Sequence, residues 1–396
     1  MVPWRRARSA SSRGRPARHP RSARSRDVKV VISGGGTAGH VYPALTVAAQ
    51  LAAEHDEVEF VGTPDGLEAR LVPAAGVAFT PLPAAGFDRS RPLTLVTSSL
   101  KIARSTMRAY RRMGADRPDV IIGFGGFVSI PVGLAAALRR IPLVLHEQNS
   151  VPGLANKLLS RFAAAAAVTY EESAAALGKA DRVVVTGNPV RQSVLEASRE
   201  KGRDALGLSE SDVLLLVFGG SRGARHLNQA IAALMPEILQ VDGVVVLHIT
   251  GPGEYDSVRE QHDAVDEPLA ARWRIEPYVD GMGDVLAAAD LLVTRAGATS
   301  LAELTCLGKP AVLVPYPYAT DDHQTKNART LVAHGAARVV ADDELDGSRF
   351  GDEVLELLKD AQARATMSAA SRALGRPDAA QRVVDLVRQA VGDAAG

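Results

Sequence analysis

One cysteine, Cys306, is present in 396 residues. That excludes a disulfide framework and a multi-cysteine zinc or iron–sulfur site, and it fits a reducing compartment. Acid is missing from residues 1–26, which hold nine arginines and almost nothing apolar. Without an apolar h-region this stretch is not a secretory signal, although its Arg/Ser-rich, acid-poor composition is also that of an organelle transit peptide. It reads more simply as a disordered basic tail, since so little apolar surface cannot offset ordering entropy. An unbroken apolar span is absent too. The longest uncharged run, Val120 to Leu138, is interrupted by Gly123, Gly125, Gly126, Pro131 and Gly133. It therefore predicts a buried strand, a loop and a helix start rather than a membrane crossing. There is no P-loop, which argues against an ATPase, and no Asp-x-Asp at a strand end of the kind metal-dependent sugar transferases carry.

What remains is ordinary globular material, 46% hydrophobic and 23% charged. At about 100–200 residues per domain the length predicts two or three domains. The net charge of +1 hides an asymmetry: outside the tail, 37 basic side chains face 45 acidic ones, a net of −8. Nucleic acid is not an expected partner.

From Val28 onward, β-rich runs alternate with helical patterns, as in VKVVISGGG followed by PALTVAAQLAAEH. EVEFVG, DVIIGF and IPLVLHEQ continue the alternation. A second start occurs at DVLLLVFGGSRGARHLNQAIAAL (212–234), followed by VVVLHITGPG, RWRIEPYVD, DLLVTRAGA and KPAVLVPYP. This pattern predicts an α/β protein with two Rossmann-like halves, each a parallel sheet opening on a glycine loop. Charge rises and apolar density falls around 187–208, where the linker is expected.

Gly34 to Gly39 match G-x-G-x-x-G after a strand, so a dinucleotide site has to be weighed. The acid expected at the end of the next strand is missing, however. Gly62 and Thr63 occupy the tip, with Asp65 the nearest candidate. Three more glycine loops follow strands, at 123–127, 219–223 and 295–299. Loops of this kind let backbone approach a ligand, and helix N-termini offer donors to phosphate. Taken together they favour a nucleotide-binding cleft.

Six ordered segments then carry a resemblance: GGTAGHVYP (35–43), HEQN (146–149), GNPVR (187–191), GGSRGA (219–224), RAGATSLAE (295–303) and DDHQTKNA (321–328). Together they resemble glycosyltransferase family 28, the MurG-type N-acetylglucosaminyltransferases that complete lipid II in peptidoglycan synthesis. The likeness runs from Val28 to the C-terminal segment. It implies a GT-B fold, two Rossmann-like domains facing a cleft. The implied divisions are a tail (1–26), an acceptor and membrane-side domain (27–190), a UDP-sugar domain (191–375) and a last helix crossing back (376–396).

The resemblance also implies roles. Thr37, Ala38 and Gly39 line the diphosphate and sugar side of the donor, with Ala38 standing where many relatives have glycine. Asn149 and Gln324 contact the donor sugar, and Arg191 and Ser221 lie near its phosphates. Val279 meets the uracil through its backbone, where isoleucine is common. Ala298, Thr299, Ser300, Leu301, Ala302 and Glu303 hold phosphate and ribose, the Glu303 carboxylate accepting from the ribose hydroxyls. Gly125 and Gly126 are candidates for the acceptor side, and His146, which ends an apolar strand, is a candidate either there or as a group supporting the site from behind. His40 is the candidate general base, because an alcohol attacking an anomeric carbon must lose a proton and histidine titrates near working pH. With no metal or cofactor required, the leaving diphosphate would be met by helix N–H groups and arginine. Cys306, in an apolar helical pattern, reads as a small core residue.

The implied reaction is inverting transfer of N-acetylglucosamine from UDP to the C4 hydroxyl of an undecaprenyl-diphospho-muramyl-pentapeptide, lipid I. The alternatives are another GT-B enzyme, such as a UDP-sugar 2-epimerase or a glycolipid synthase, or a non-catalytic nucleotide-sugar-binding subunit. A lipid-linked acceptor places the protein peripherally at the cytoplasmic face of the cell membrane, near cell-wall synthesis and division proteins. Residues 92–113, with Lys101, Arg104, Arg108, Arg111 and Arg112 and no acid, read as a basic amphipathic helix suited to an anionic surface. A solvated basic face of a packed helix is the plainer reading.

Overall fold

The computed structural model describes residues 27–84, 94–220 and 224–395. The expected tail (1–26), the first two residues of the basic segment and the site candidate Ser221 lie outside them.

Seven strands form the first sheet: β1 (Lys29–Ser33), β2 (Glu57–Gly62), β3 (Ala78–Pro81), β4 (Val120–Gly123), β5 (Leu143–Glu147), β6 (Ala165–Val168) and β7 (Val183–Val185). Their order is β3-β2-β1-β4-β5-β6-β7, and every pairing is parallel. The helices α1 (Ala38–Ala53), α2 (Glu68–Ala74), α3 (Thr94–Ala115) and α4 (Ser129–Arg139) make the first crossovers. Parallel strands covered on both faces become continuous apolar runs, and β4 and β5 are buried along their whole length. Neighbouring residues of β1 divide between the two layers. Val30 and Ile32 join the core with α1, while Val31 joins the core with Ala109 and Met113 of α3.

Six strands form the second sheet: β8 (Val213–Phe218), β9 (Val244–Ile249), β10 (Trp273–Glu276), β11 (Leu291–Thr294), β12 (Ala311–Leu313) and β13 (Arg338–Val339). Their order is β10-β9-β8-β11-β12-β13, again all parallel. In both sheets the strand order reverses beside the first strand, between β1 and β4 and between β8 and β11. An open parallel sheet receives ligands in the crevice at that reversal, and the glycine loops follow these same four strands.

The last helix, Ala379–Ala395, packs on α1 and across β4, β5 and β6. Val383, Val384, Leu386, Val387 and Ala390 fill the first domain's core beside Val30, Ile32 and Ile122. Each fully buried aliphatic side chain contributes about 1.5–3 kcal/mol. Arg388 anchors the helix on Asp56 (2.5 Å), and Asp56 also accepts the Val28 N–H (2.9 Å).

Candidate active site

The first sheet's crevice is built by two interlocked loops. Gly125 and Gly126 have φ of +91° and +80°, and a Cβ on Gly126 would fall 2.5 Å from the Gly35 carbonyl oxygen. Only glycine lets the 123–127 loop lie this close to the 34–37 loop. His40 stands in the first turn of α1 and is half-buried. Its Nδ1 lies 2.9 Å from the Gly35 carbonyl and 3.2 Å from Thr37 Oγ1. A carbonyl only accepts, so Nδ1 carries the proton and Nε2 is the basic nitrogen of the neutral ring. Nε2 is turned toward Gly125, where an added Cβ would sit 3.3 Å away. Thr37 caps α1 with extended backbone, its side chain bonding no N–H of the helix start, and the helix begins at Ala38 and Gly39. The N–H groups of that turn are the kind of donors a helix start offers an anion.

The second sheet contributes the helix Ala298–Leu307, which begins after Gly297 with no side-chain cap. Ala298, Thr299 and Ser300 form its first turn, and the Thr299 hydroxyl is buried without a partner. One turn on, Glu303 is buried and receives Arg191 Nε (3.0 Å) and Nη2 (2.7 Å) on a single oxygen. Burial raises this carboxyl above the ordinary glutamate value, and Arg191 opposes the rise. Leu301 is buried and Ala302 half-buried beside it. Gln324 directs its carbonyl to the backbone N–H groups of Ala296 (3.1 Å) and Tyr316 (2.9 Å), so its NH2 end remains for a ligand. Val279 lies half-buried after β10.

Among the described residues, α1 touches the helix Ala298–Leu307 and polar side chains also join the halves across the cleft. The Arg191 guanidinium lies 4.9 Å from the ring centroid of Tyr42 on α1, so one arginine touches both domains. Asn327, fully buried in the helix His323–Ala333, accepts from the Ser150 N–H (2.9 Å) and hydroxyl (3.0 Å) and donates to Asn149 Oδ1 (3.2 Å). The Asn149 amide also meets Glu147 at 3.4 Å.

His146 is placed differently from the other candidates. It has 0% exposure and is stacked on Phe124, with Nε2 donating to the Gly187 carbonyl (3.2 Å) and Nδ1 accepting from Gln148 (3.0 Å). Burial lowers its pKa to about 4, so it is neutral with both nitrogens spent inside the protein. It supports the loop from beneath, the second of the two roles expected of it. Cys306 is half-buried, and burial pushes its thiol up.

Sequence reasoning missed Tyr42, Glu147, Asn327 and Glu68. Glu147 accepts from Asn149 N (3.1 Å), Gly153 N (3.0 Å) and Asn156 Nδ2 (2.9 Å), which fixes the turn that carries Asn149. Glu147 and Asn327 both fall within the quoted HEQN and DDHQTKNA segments. No acid stands at the end of β2: Asp65 is exposed beyond it, and the buried Glu68 that follows is bonded within the protein to Thr63 and Gly36.

Two parallel α/β domains whose crevices carry a histidine on one side and a phosphate-type helix start with a buried carboxylate on the other define a GT-B glycosyltransferase. The chain belongs to glycosyltransferase family 28. The model of that family's N-terminal domain matches residues 30–168 and the model of its C-terminal domain matches 214–383. The UDP-N-acetylglucosamine–N-acetylmuramyl-(pentapeptide) pyrophosphoryl-undecaprenol N-acetylglucosamine transferase of Halothermothrix orenii is 41% identical over 364 residues, covering 91% of this chain and 98% of that protein. The crystal structure of Acinetobacter baumannii MurG superposes with a TM-score of 0.74 at 30% identity, over 91% of this chain and 99% of that one. A putative UDP-N-acetylglucosamine 2-epimerase from Listeria monocytogenes shares the fold, with a TM-score of 0.65 at 16% identity over 93% of this chain and 98% of that one.

Proposed function

We propose that the protein transfers N-acetylglucosamine from UDP-N-acetylglucosamine to the C4 hydroxyl of lipid I, with inversion, to give lipid II. The observation that carries this reading is the orientation of His40. Its proton is held on Nδ1 by a backbone carbonyl, which leaves Nε2 turned to the cleft as an acceptor for the attacking hydroxyl's proton. The 41% identity with the Halothermothrix orenii transferase supports the choice of donor and acceptor.

In this reading the acceptor sugar lies against the Gly125–Gly126 loop and the donor against the opposite wall. Glu303 takes the ribose hydroxyls, and Asn149 and the Gln324 NH2 take the donor sugar. UDP departs toward the helix start at Ala298–Ser300 and Arg191, where N–H donors and a guanidinium meet the developing charge. No metal or cofactor is assigned a step.

The acceptor's polyprenyl chain stays in a bilayer, so the enzyme works at the cytoplasmic face of the membrane as a peripheral protein. Among the described residues no helix is long and apolar enough to cross. On α3, Lys101, Arg104, Arg108 and Arg111 are exposed beside Leu100 (67% exposed) and Met107 (49%). Leu100, Arg104, Met107 and Arg111 recur at helical spacing, giving one face both charge for anionic headgroups and apolar surface. Cell-wall synthesis and division proteins would be neighbours at that surface.

The test is incubation with UDP-N-acetylglucosamine labelled in the sugar and a lipid I analogue, with and without chelator. A labelled disaccharide lipid is expected in both. Release of free labelled sugar without acceptor would point to the epimerase alternative, and binding without turnover to a non-catalytic subunit.

A further inference from the structure

The loop that presents His40 is gripped from below by a carboxylate. Glu68, the first residue of α2, is completely buried. Three glycines make room for it, since a Cβ on Gly35, Gly62 or Gly66 would fall 2.2, 2.5 or 2.4 Å from its side-chain atoms. Its Oε1 accepts the Thr63 N–H (2.9 Å) and hydroxyl (2.6 Å), and its Oε2 accepts the Gly36 N–H (3.2 Å). Burial pushes the carboxyl up, but the hydrogen bonds from Thr63, its own backbone and Gly36 outweigh this and hold it below the ordinary glutamate range.

The Gly36 N–H and the Gly35 carbonyl belong to one peptide group and point in opposite directions, because the group is planar and trans. The carbonyl end holds His40 Nδ1–H, and the N–H end is held by Glu68. Glycine on both sides leaves this peptide freer to flip than any other pair would. A flip would turn an N–H toward Nδ1, make Nδ1 the acceptor and move the ring proton to Nε2, the wrong tautomer for a base.

We infer that Glu68 is a positioning residue, whose bond to the Gly36 N–H locks the Gly35–Gly36 peptide in the orientation that keeps the proton on His40 Nδ1 and leaves Nε2 bare toward the acceptor. The inference rests on His40 acting as the base.

The test is Glu68→Gln in the full chain. The two Thr63 donors keep the remaining carbonyl oxygen, so the new NH2 faces the Gly36 N–H and favours the flip. Turnover of UDP-N-acetylglucosamine with a lipid I analogue should fall about ten- to a hundredfold, the range a misplaced catalytic group costs, with donor KM unchanged. The 15N shifts of His40 should move from a bare Nε2 to a bare Nδ1. The double variant with His40→Ala should be no slower than His40→Ala alone, since two residues acting through one step are not additive. Wild-type kcat, an unmoved tautomer or a fully multiplicative double variant would each overturn the role. If Glu68→Gln does not fold, Thr63→Val keeps the carboxylate but loosens it, and should lower kcat several-fold at constant KM; unchanged kcat there also overturns it. A His40→Ala protein that keeps its turnover would instead remove the base assignment, a separate failure.

Discussion

The Arg191 guanidinium spends two donors, Nε and Nη2, on the single oxygen Oε1 of Glu303, and Glu303 Oε2 receives none from it. Arg191 therefore holds the carboxylate in place and favours its charged form against the effect of burial, while Oε2 takes no hydrogen bond from that guanidinium. A ribose presenting two hydroxyls is a fitting ligand for it. Glu303→Ala should weaken UDP-N-acetylglucosamine binding by about 1.5–3 kcal/mol, the worth of hydrogen bonds to a charged group. Calorimetry with ribose and deoxyribose donors checks this. A variant that still discriminates between them as wild type does would remove Glu303 from ribose recognition.

His40→Ala should leave UDP affinity unchanged, because the nucleotide contacts proposed above lie mainly on the second domain. Turnover should drop by about a hundredfold or more, the loss that removing a general base brings. Single-turnover kinetics beside UDP titration separates the two quantities, and activity within a few-fold of wild type would discard the role.

Replacing Arg104, Arg108 and Arg111 by Ser should weaken sedimentation with anionic vesicles. Each basic residue near such a surface contributes about 1 kcal/mol, screened within a Debye length, so the deficit should shrink as salt rises. Activity on a short-chain soluble acceptor should survive. Unchanged sedimentation would make this a solvated face, and loss of soluble activity would assign these arginines to the fold.

A fourth expectation concerns pH. His226, near the start of the helix Arg225–Ile238, bonds Asp342 (2.9 Å) and Asp346 (3.2 Å), and Arg295 holds Asp342 from the other side (2.5 Å). The Asp342 hydrogen bond is the main cause of its raised pKa, with Asp346 adding to it and burial opposing. The folded value lies above the unfolded one, so the stabilisation is complete below the ordinary histidine value near 6.5. It is lost as pH rises through the raised folded value. His226→Gln should accordingly lower the melting temperature more at pH 6 than at pH 9. Equal losses at both would mean the pair contributes nothing through protonation.

The doubly wound halves were legible because strands buried on both faces read as continuous apolar runs, as in VIIG of β4 and VLLLVF of β8. β6 was not legible. Its sequence, AAAV within a run of five alanines, has the composition of a helix, yet it pairs in parallel with β5 and β7, Ala165 and Ala167 joining the core with the last helix and Ala166 and Val168 the opposite layer. β3, β7 and β13 are short edge strands of two to four residues, too brief for a periodic signal. Among the site residues, those in glycine loops announced themselves by composition. Glu68 did not, because its task is set by glycines at 35, 62 and 66 that meet only once the chain has folded. His146 stayed ambiguous because a histidine ending a strand looks the same in sequence whether it faces solvent or lies beneath a loop.

The last helix settles the order in which the molecule can be finished. The ribosome delivers β1 to β7 first, yet the layer over Val30, Ile32 and Ile122 is closed by Val383, Val384 and Val387, which emerge nearly two hundred residues after β7. During synthesis the second domain can complete its own core while the first still shows an uncovered apolar sheet face. The half that is made first is therefore sealed last, and a nascent chain stalled before residue 379 would carry that open face as a ready target for chaperones.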